Sequence, residues 1–196
     1  KDIFSQDIAD KNLIIDPNDN LIISALKEFR DLTSWKKCFS IYLQKKIPIG
    51  AGLGGGSADA AATLVFLRKL FNNETKTNKI SKENIFEIGK RLGSDVPACI
   101  ESKDLKIKGY GDKIFRNKIS DGFYFLVINP NIKLSTRSVF NYFDNNQEKQ
   151  CEWTNVFWEN IKIHNSLLSS AKNLAPEISH IINKLENSRN MIASGM

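Results

Sequence analysis

The stretch PIGAGLGGGSADAAATLVFLRKLF, Pro48 to Phe71, decides how the rest of the chain is read. Five of the seven residues from Gly50 to Gly56 are glycine, and the text then turns into alanine and leucine. Ala60, Ala61, Leu64, Leu67, Leu70 and Phe71 form one apolar stripe at helical spacing, which predicts a helix from about Ser57 to Phe71. Ahead of the glycines, Phe39, Ile41 and Leu43 alternate with Ser40, Tyr42 and Gln44, which predicts a strand between Cys38 and Ile49. Strand, glycine loop and helix in that order make a phosphate cradle. A helix N-terminus carries unpaired N–H groups and about half a positive charge, and glycines before it let those donors approach an anion without a Cβ in the way.

Three kinds of cradle are distinguishable. A P-loop needs lysine after its last glycine; Gly50 and Gly55 have the spacing, but Gly56 and Ser57 follow. Gly50, Gly52 and Gly55 satisfy GxGxxG, yet a dinucleotide fold needs a further strand ending in an acid. Glu74 has the distance but lies in NNETKTNK, with no apolar strand before it. Glycines serving helix packing alone are disfavoured, because so many of them cost chain entropy with no ligand to offset it.

Working outward, NLIISALKEFR from Asn20 places Leu21, Ile22, Ala25, Leu26 and Phe29 on a core-facing helix, with Asp19 or Asn20 as its cap. Ser81 caps a helix carrying Ile85, Ile88 and Leu92, and Gly93 stands where a left-handed end residue is expected. GSDVPACI follows. Two short strands are predicted around the turn GYGD within 103–119, and an apolar strand at FYFLVIN from Phe123 to Pro130. Ser135 or Thr136 caps a helix through Phe143, and apolar stripes at Leu167–Leu174 and Ile178–Leu185 flank Pro176. The change from mixed strands and helices to mostly helices places a domain boundary near residue 119, giving units 1–118 and 119–196.

The 196 residues are 41% hydrophobic and 26% charged, a globular composition that favours neither disorder nor a membrane class. Without an apolar run or signal peptide, a cytoplasmic protein is expected. The net charge of +6 suits an anionic partner, but the lysines are scattered and no basic run alternates with aromatics, so nucleic acid is not expected. Cys38, Cys99 and Cys151 lack any CxxC and read as reduced structural thiols. The text opens at Lys1 and stops at Met196 just after Ser194 and Gly195, so both ends are expected to be cuts.

PIGAGLGGGSADAAA resembles the phosphate-binding motif of the GHMP kinases, the family of galactokinase, homoserine kinase and mevalonate kinase. DNLIISA at Asp19, GSDVPACI at Gly93, KGYGDKI at Lys108 and NPNIKLSTRSVF at Asn129 are similar to landmarks, in the same order, of the members that phosphorylate a cytidyl diphosphate polyol for isoprenoid synthesis. The resemblance implies an α+β fold of two domains, the first like ribosomal protein S5 and the second ferredoxin-like, both incomplete here. It implies an ATP-dependent kinase with magnesium as its ion and the cytidyl diphosphate compound as its small-molecule partner. The alternatives are another GHMP kinase, of homoserine or mevalonate type, or a nucleotide-binding module without catalysis. Metal ligands and oligomeric state stay open.

By residue, the resemblance implies that Pro48, Ile49, Gly50, Ala51, Gly52, Leu53, Gly54, Gly55, Gly56, Ser57 and Ala58 wrap the ATP phosphates. Ser57 contacts phosphate or magnesium, or is an ordinary helix cap. Asp59 falls in the first turn of the helix and reads as structural. Asp95 alone reads as a cap ahead of Pro97; with the resemblance it is the catalytic base. Phe140 stacks on cytosine or packs in the core, and Thr136 neighbours that pocket, although capping suffices to explain it. The family's N-terminal PAKINL and GYH motifs are not in this text, and His164, His180, Lys45 and Lys46 read as solvated surface groups, no substitutes for them. RNMIASGM resembles the start of a third family segment.

Overall fold

A computed structural model describes residues 1–8, 16, 19–48, 50–116, 126–130, 132, 134–146 and 165–187. The chain divides into two units, Lys1–Ile47 with Gly54–Lys118, and Pro48–Leu53 with Ile119–Met196.

In the first unit, β1 (Ile3–Ile8) pairs in parallel with β2 (Ser40–Lys45), Ile3 opposite Ser40 and Ile8 opposite Lys45. Between them runs α1 (Leu21–Thr33), started by Asn20, whose side-chain oxygen accepts the Ile22 N–H at 2.9 Å. Its core face is Ile22, Ala25, Leu26 and Phe29. The long helix α2 (Gly55–Glu74) answers with Ala60, Ala61, Leu64, Leu67 and Phe71. The two buried alanines add little bulk where α2 packs on α1 and on α4 (Val96–Glu101). Helix α3 (Lys82–Leu92) closes the cluster with Ile85 and Ile88 behind a capping box of Ser81 and Asn84. Fully burying side chains such as Phe29, Leu64, Ile85 and Ile88 contributes about 1.5–3 kcal/mol each, so this helical cluster dominates the unit's stability. A hairpin follows, β3 (Leu105–Lys108) antiparallel to β4 (Lys113–Arg116).

In the second unit, α5 (Thr136–Asn145) buries Val139 and Phe143, and α6 (Leu168–Leu174) packs on α5 and on α7 (Pro176–Glu186). Pro176 begins α7 at a position whose N–H has no helical acceptor, so the expected break is a start. No helix among the described residues is long and apolar enough to cross a membrane.

Three local expectations are corrected, and one strand was not expected at all. Strand β1 had no sequence signal, because its half-buried positions include polar Gln6 while Ile3 is exposed. Helix α2 begins two residues early, at Gly55. Gly93 has φ 166°, extended backbone open to any residue, so α3 does not end left-handed. Of the strand expected at FYFLVIN, residues 123–125 lie outside the described residues, and residues 126–129 are not in a strand. Leu126 and Val127 are 70% and 63% exposed there: apolar content alone does not make a buried strand.

Candidate active site

Gly50, Gly52 and Gly54 all take left-handed φ, between 64° and 78°. A Cβ built on Gly54 would meet nothing within 4 Å, and one on Gly50 would make only an ordinary 4.0 Å contact with the Leu134 carbonyl. The backbone sign, not crowding, therefore requires glycine at these two positions. Gly54 is the N-cap of α2 and supplies no side-chain acceptor. The first helical N–H groups, at Gly55, Gly56 and Ser57, thus have no cap side chain to satisfy them, which is the condition for an anion seat. Ser57 stands third in the helix, so its reading as the cap is wrong. Pro48, Ala51, Leu53 and Ala58 complete the described segment; Ile49 lies outside the described residues.

Lys45 overturns its reading as a solvated group. Its side chain is 12% exposed, and its ammonium pairs with Asp59. The same Nζ lies 3.4 Å from where a Cβ on Gly55 would stand, so the end of β2 reaches back over the first residue of α2. Asp59 lies in the second turn of α2, not the first, and its structural reading now has a partner. The spacing of 14 residues across a loop gave no signal for this pair. Lys46 is exposed.

Asp95 sits at the N-cap position of α4 with helical φ and ψ of −90° and −18°, and its side chain makes no capping bond. The capping reading therefore fails and leaves an exposed carboxylate, to which the Ser94 hydroxyl donates at 3.2 Å. The turn is firmly seated. Val96 and Pro97 are buried, and a Cβ on Gly89 of α3 would come within 3.2 Å of the Val96 side chain, so α3 and α4 meet where no side chain intervenes. One turn on, Cys99 donates its backbone N–H to the Asp95 carbonyl. Burial pushes the Cys99 thiol up, and the Asp95 charge adds to that, which keeps it a poor nucleophile.

In the second unit, Ser135 caps α5, accepting the Ser138 N–H. Thr136 is then the first helical residue and exposed, so capping does not explain it. Phe140 is 48% exposed, which removes the core-packing alternative. His180 is exposed on α7, while His164 and the segment from Arg189 to Met196 lie outside the described residues. Among the described residues no three His, Cys, Asp or Glu side chains gather to hold a metal.

The profile of the family described as "GHMP kinases N terminal domain" matches residues 20–103, from the cap of α1 through the Asp95 turn. Residues 20–103 are a GHMP kinase N-terminal domain. A protein of Thermodesulfovibrio yellowstonii named 4-diphosphocytidyl-2-C-methyl-D-erythritol kinase is 33% identical over 190 residues, covering 89% of this chain and 64% of its own length. One of the same name from Shewanella frigidimarina is 39% identical over 127 residues, covering 65% of this chain and 42% of its own length. The chain thus spans less than two thirds of these curated relatives. A solved structure described as "Crystal structure of 4-(cytidine 5'-diphospho)-2C-methyl-D-erythritol kinase" superposes with a TM-score of 0.57 over 94% of this chain and 66% of its own, at 21% identity. That likeness is one of fold over nearly the whole chain, a mixed architecture of helices and strands.

Proposed function

We propose that this protein is an ATP-dependent kinase that phosphorylates the 2-hydroxyl of 4-diphosphocytidyl-2-C-methyl-D-erythritol, a step in isoprenoid precursor synthesis. The observation that carries the reading is the N-terminus of α2, which opens on glycines with no side-chain cap behind a loop of left-handed glycines. The names of the relatives supply the acceptor.

When bound, ATP with magnesium supplies the phosphoryl group and offsets its charge. The chain supplies the rest. The α2 N–H groups orient and stabilise the phosphates without reorganising, because the helix already fixes them. The Ser57 hydroxyl would donate a hydrogen bond to phosphate or offer its oxygen to magnesium; Mg²⁺ commonly takes only one or two protein ligands beside phosphates and water. Asp95 accepts the proton of the acceptor hydroxyl as its oxygen bonds to the γ-phosphorus and ADP leaves. Phe140 stacks on the cytosine, with Thr136 beside it. In this reading the family's two domains would be S5-like up to about residue 118 and ferredoxin-like from 119, whereas the loop Pro48–Leu53 groups with the second unit.

The full-length gene product should transfer phosphate from ATP to the cytidyl substrate, and Asp95→Asn should lower kcat by about 10²–10⁴-fold. Turnover of homoserine or mevalonate in place of the cytidyl compound would overturn the acceptor; undiminished transfer by Asp95→Asn would overturn the base.

A further inference from the structure

We propose that Gly111, on the β3–β4 hairpin, is a positioning residue for Asp95, and that the hairpin turn serves as a backbone buttress for the candidate base. The inference rests on the base reading of Asp95.

The turn Gly109-Tyr110-Gly111-Asp112 has two left-handed glycines, at φ 66° and 82°. It is pinned from within by the Asp112 carboxylate, which accepts the Tyr110 N–H at 3.0 Å. The two glycines differ in what surrounds them. A Cβ on Gly109 would meet Asp112 Oδ1 at 2.4 Å, the end of a side chain in the same turn that is able to swing away. A Cβ on Gly111 would lie 1.9 Å from the Ser94 carbonyl oxygen, 2.7 Å from its carbon and 3.0 Å from its Cα. All three are backbone atoms of the residue before Asp95.

Gly111 is buried although its neighbour Tyr110 is 94% exposed, so the turn presses its bare backbone, not a side chain, against the base turn. From the other side, Val96 and Pro97 are locked into the core and Gly89 admits α4 closely. The Ser94–Asp95 peptide is therefore held between the hairpin and the core. A methyl group at 111 has to drive the Ser94 carbonyl back by about 1 Å, and because α4 is anchored, the displaced peptide rotates and carries the Asp95 carboxylate with it. A misplacement of about 1 Å in a catalytic group costs on the order of 10²-fold.

The test compares Gly111→Ala with Gly109→Ala in the full-length gene product. Both put alanine at a left-handed position of the same turn, so both strain it, but only the first touches Ser94. Gly111→Ala is expected to lower kcat 10–100-fold with KM for ATP within twofold, while Gly109→Ala, which displaces only the Asp112 side chain, lowers kcat no further than Asp112→Ala does and several-fold less than Gly111→Ala, despite a lower Tm. Equal kcat in the two variants, or a loss in Gly111→Ala confined to KM for ATP, overturns the proposal. If Gly111→Ala does not fold, Asp112→Ala decides, since it unpins the turn without a clash. A threefold or larger fall in kcat with KM for ATP unchanged supports the buttress, and an unchanged kcat overturns it. Asp95→Asn separates the two readings: if it turns over normally the base reading fails and the buttress with it, whereas if it is inactive and Gly111→Ala is not, only the buttress fails.

Discussion

Lys45 and Asp59 show how unequal the two halves of an ion pair are. The ammonium is the more buried partner, 12% exposed against 32%, and it lies beside the first residue of α2, where the positive end of the helix disfavours a cation. Removing Asp59 leaves that charge with little solvent and no counter-ion. Removing Lys45 leaves a carboxylate with water at hand. Asp59→Asn should therefore cost about 2–3 kcal/mol and Lys45→Ala about 1 kcal/mol, with the double variant less destabilised than the sum. Denaturant unfolding of the four proteins measures this, and strict additivity would mean the pair is not coupled. The pair also marks a limit of sequence reading. The glycines and Asp95 stand inside contiguous motifs, so they are legible from the text alone; the burial of Lys45 and the contact of Gly111 with Ser94 exist only after the chain has folded back on itself.

At the scale of elements, β1 depends on one clip at its start. The Asp2 carboxylate takes two bonds from Arg30 on α1, one of them at 2.8 Å, and the Phe39 N–H just before β2 at 2.9 Å. These bonds, the Arg30 guanidinium first, hold the Asp2 carboxyl down at about 2. Its folded value lies below the unfolded one, so the stabilisation is complete above pH about 4 and is lost as pH falls toward 2. Allowing for solvent screening of a partly exposed group, the clip contributes about 1–2 kcal/mol at neutral pH. Asp2→Asn should lower stability by that amount at pH 7 and by almost nothing near pH 2; a difference that persists at pH 2 would assign the loss to packing. The clip also explains why β1 was illegible and α1 and α3 were not. Helices announce themselves by caps and a 3.6-residue stripe within one segment, as Asn20 and Ser81 do. A short strand whose inward positions include polar side chains is defined by its partner, and β2 lies 37 residues away in register.

At the scale of the molecule, two units with separate cores need not unfold together, so a ligand should raise the transition of whichever unit holds its seat. The seat proposed for the ATP phosphates is the start of α2, the helix that also packs against α1, α3 and α4. Saturating that seat ties ligand binding to the main helical core. At a free ATP concentration of about 100 Kd, linkage gives about 2.7 kcal/mol, and at about 2–4 °C per kcal/mol the transition should rise by roughly 5–10 °C. Gly54→Val provides the discriminating variant. A Cβ there meets no neighbour, so its effect comes through the left-handed φ of 64° that a β-branched residue resists. The variant should shift the backbone in front of Gly55 and Gly56 and so lose most of the ATP-induced rise, while its ligand-free transition falls only by the cost of one strained residue, about 1–3 kcal/mol. Calorimetry of the full-length gene product with and without ATP reads both quantities. An ATP-induced rise in Gly54→Val equal to that of the unmodified protein would place the phosphate seat elsewhere than the glycine-led end of α2.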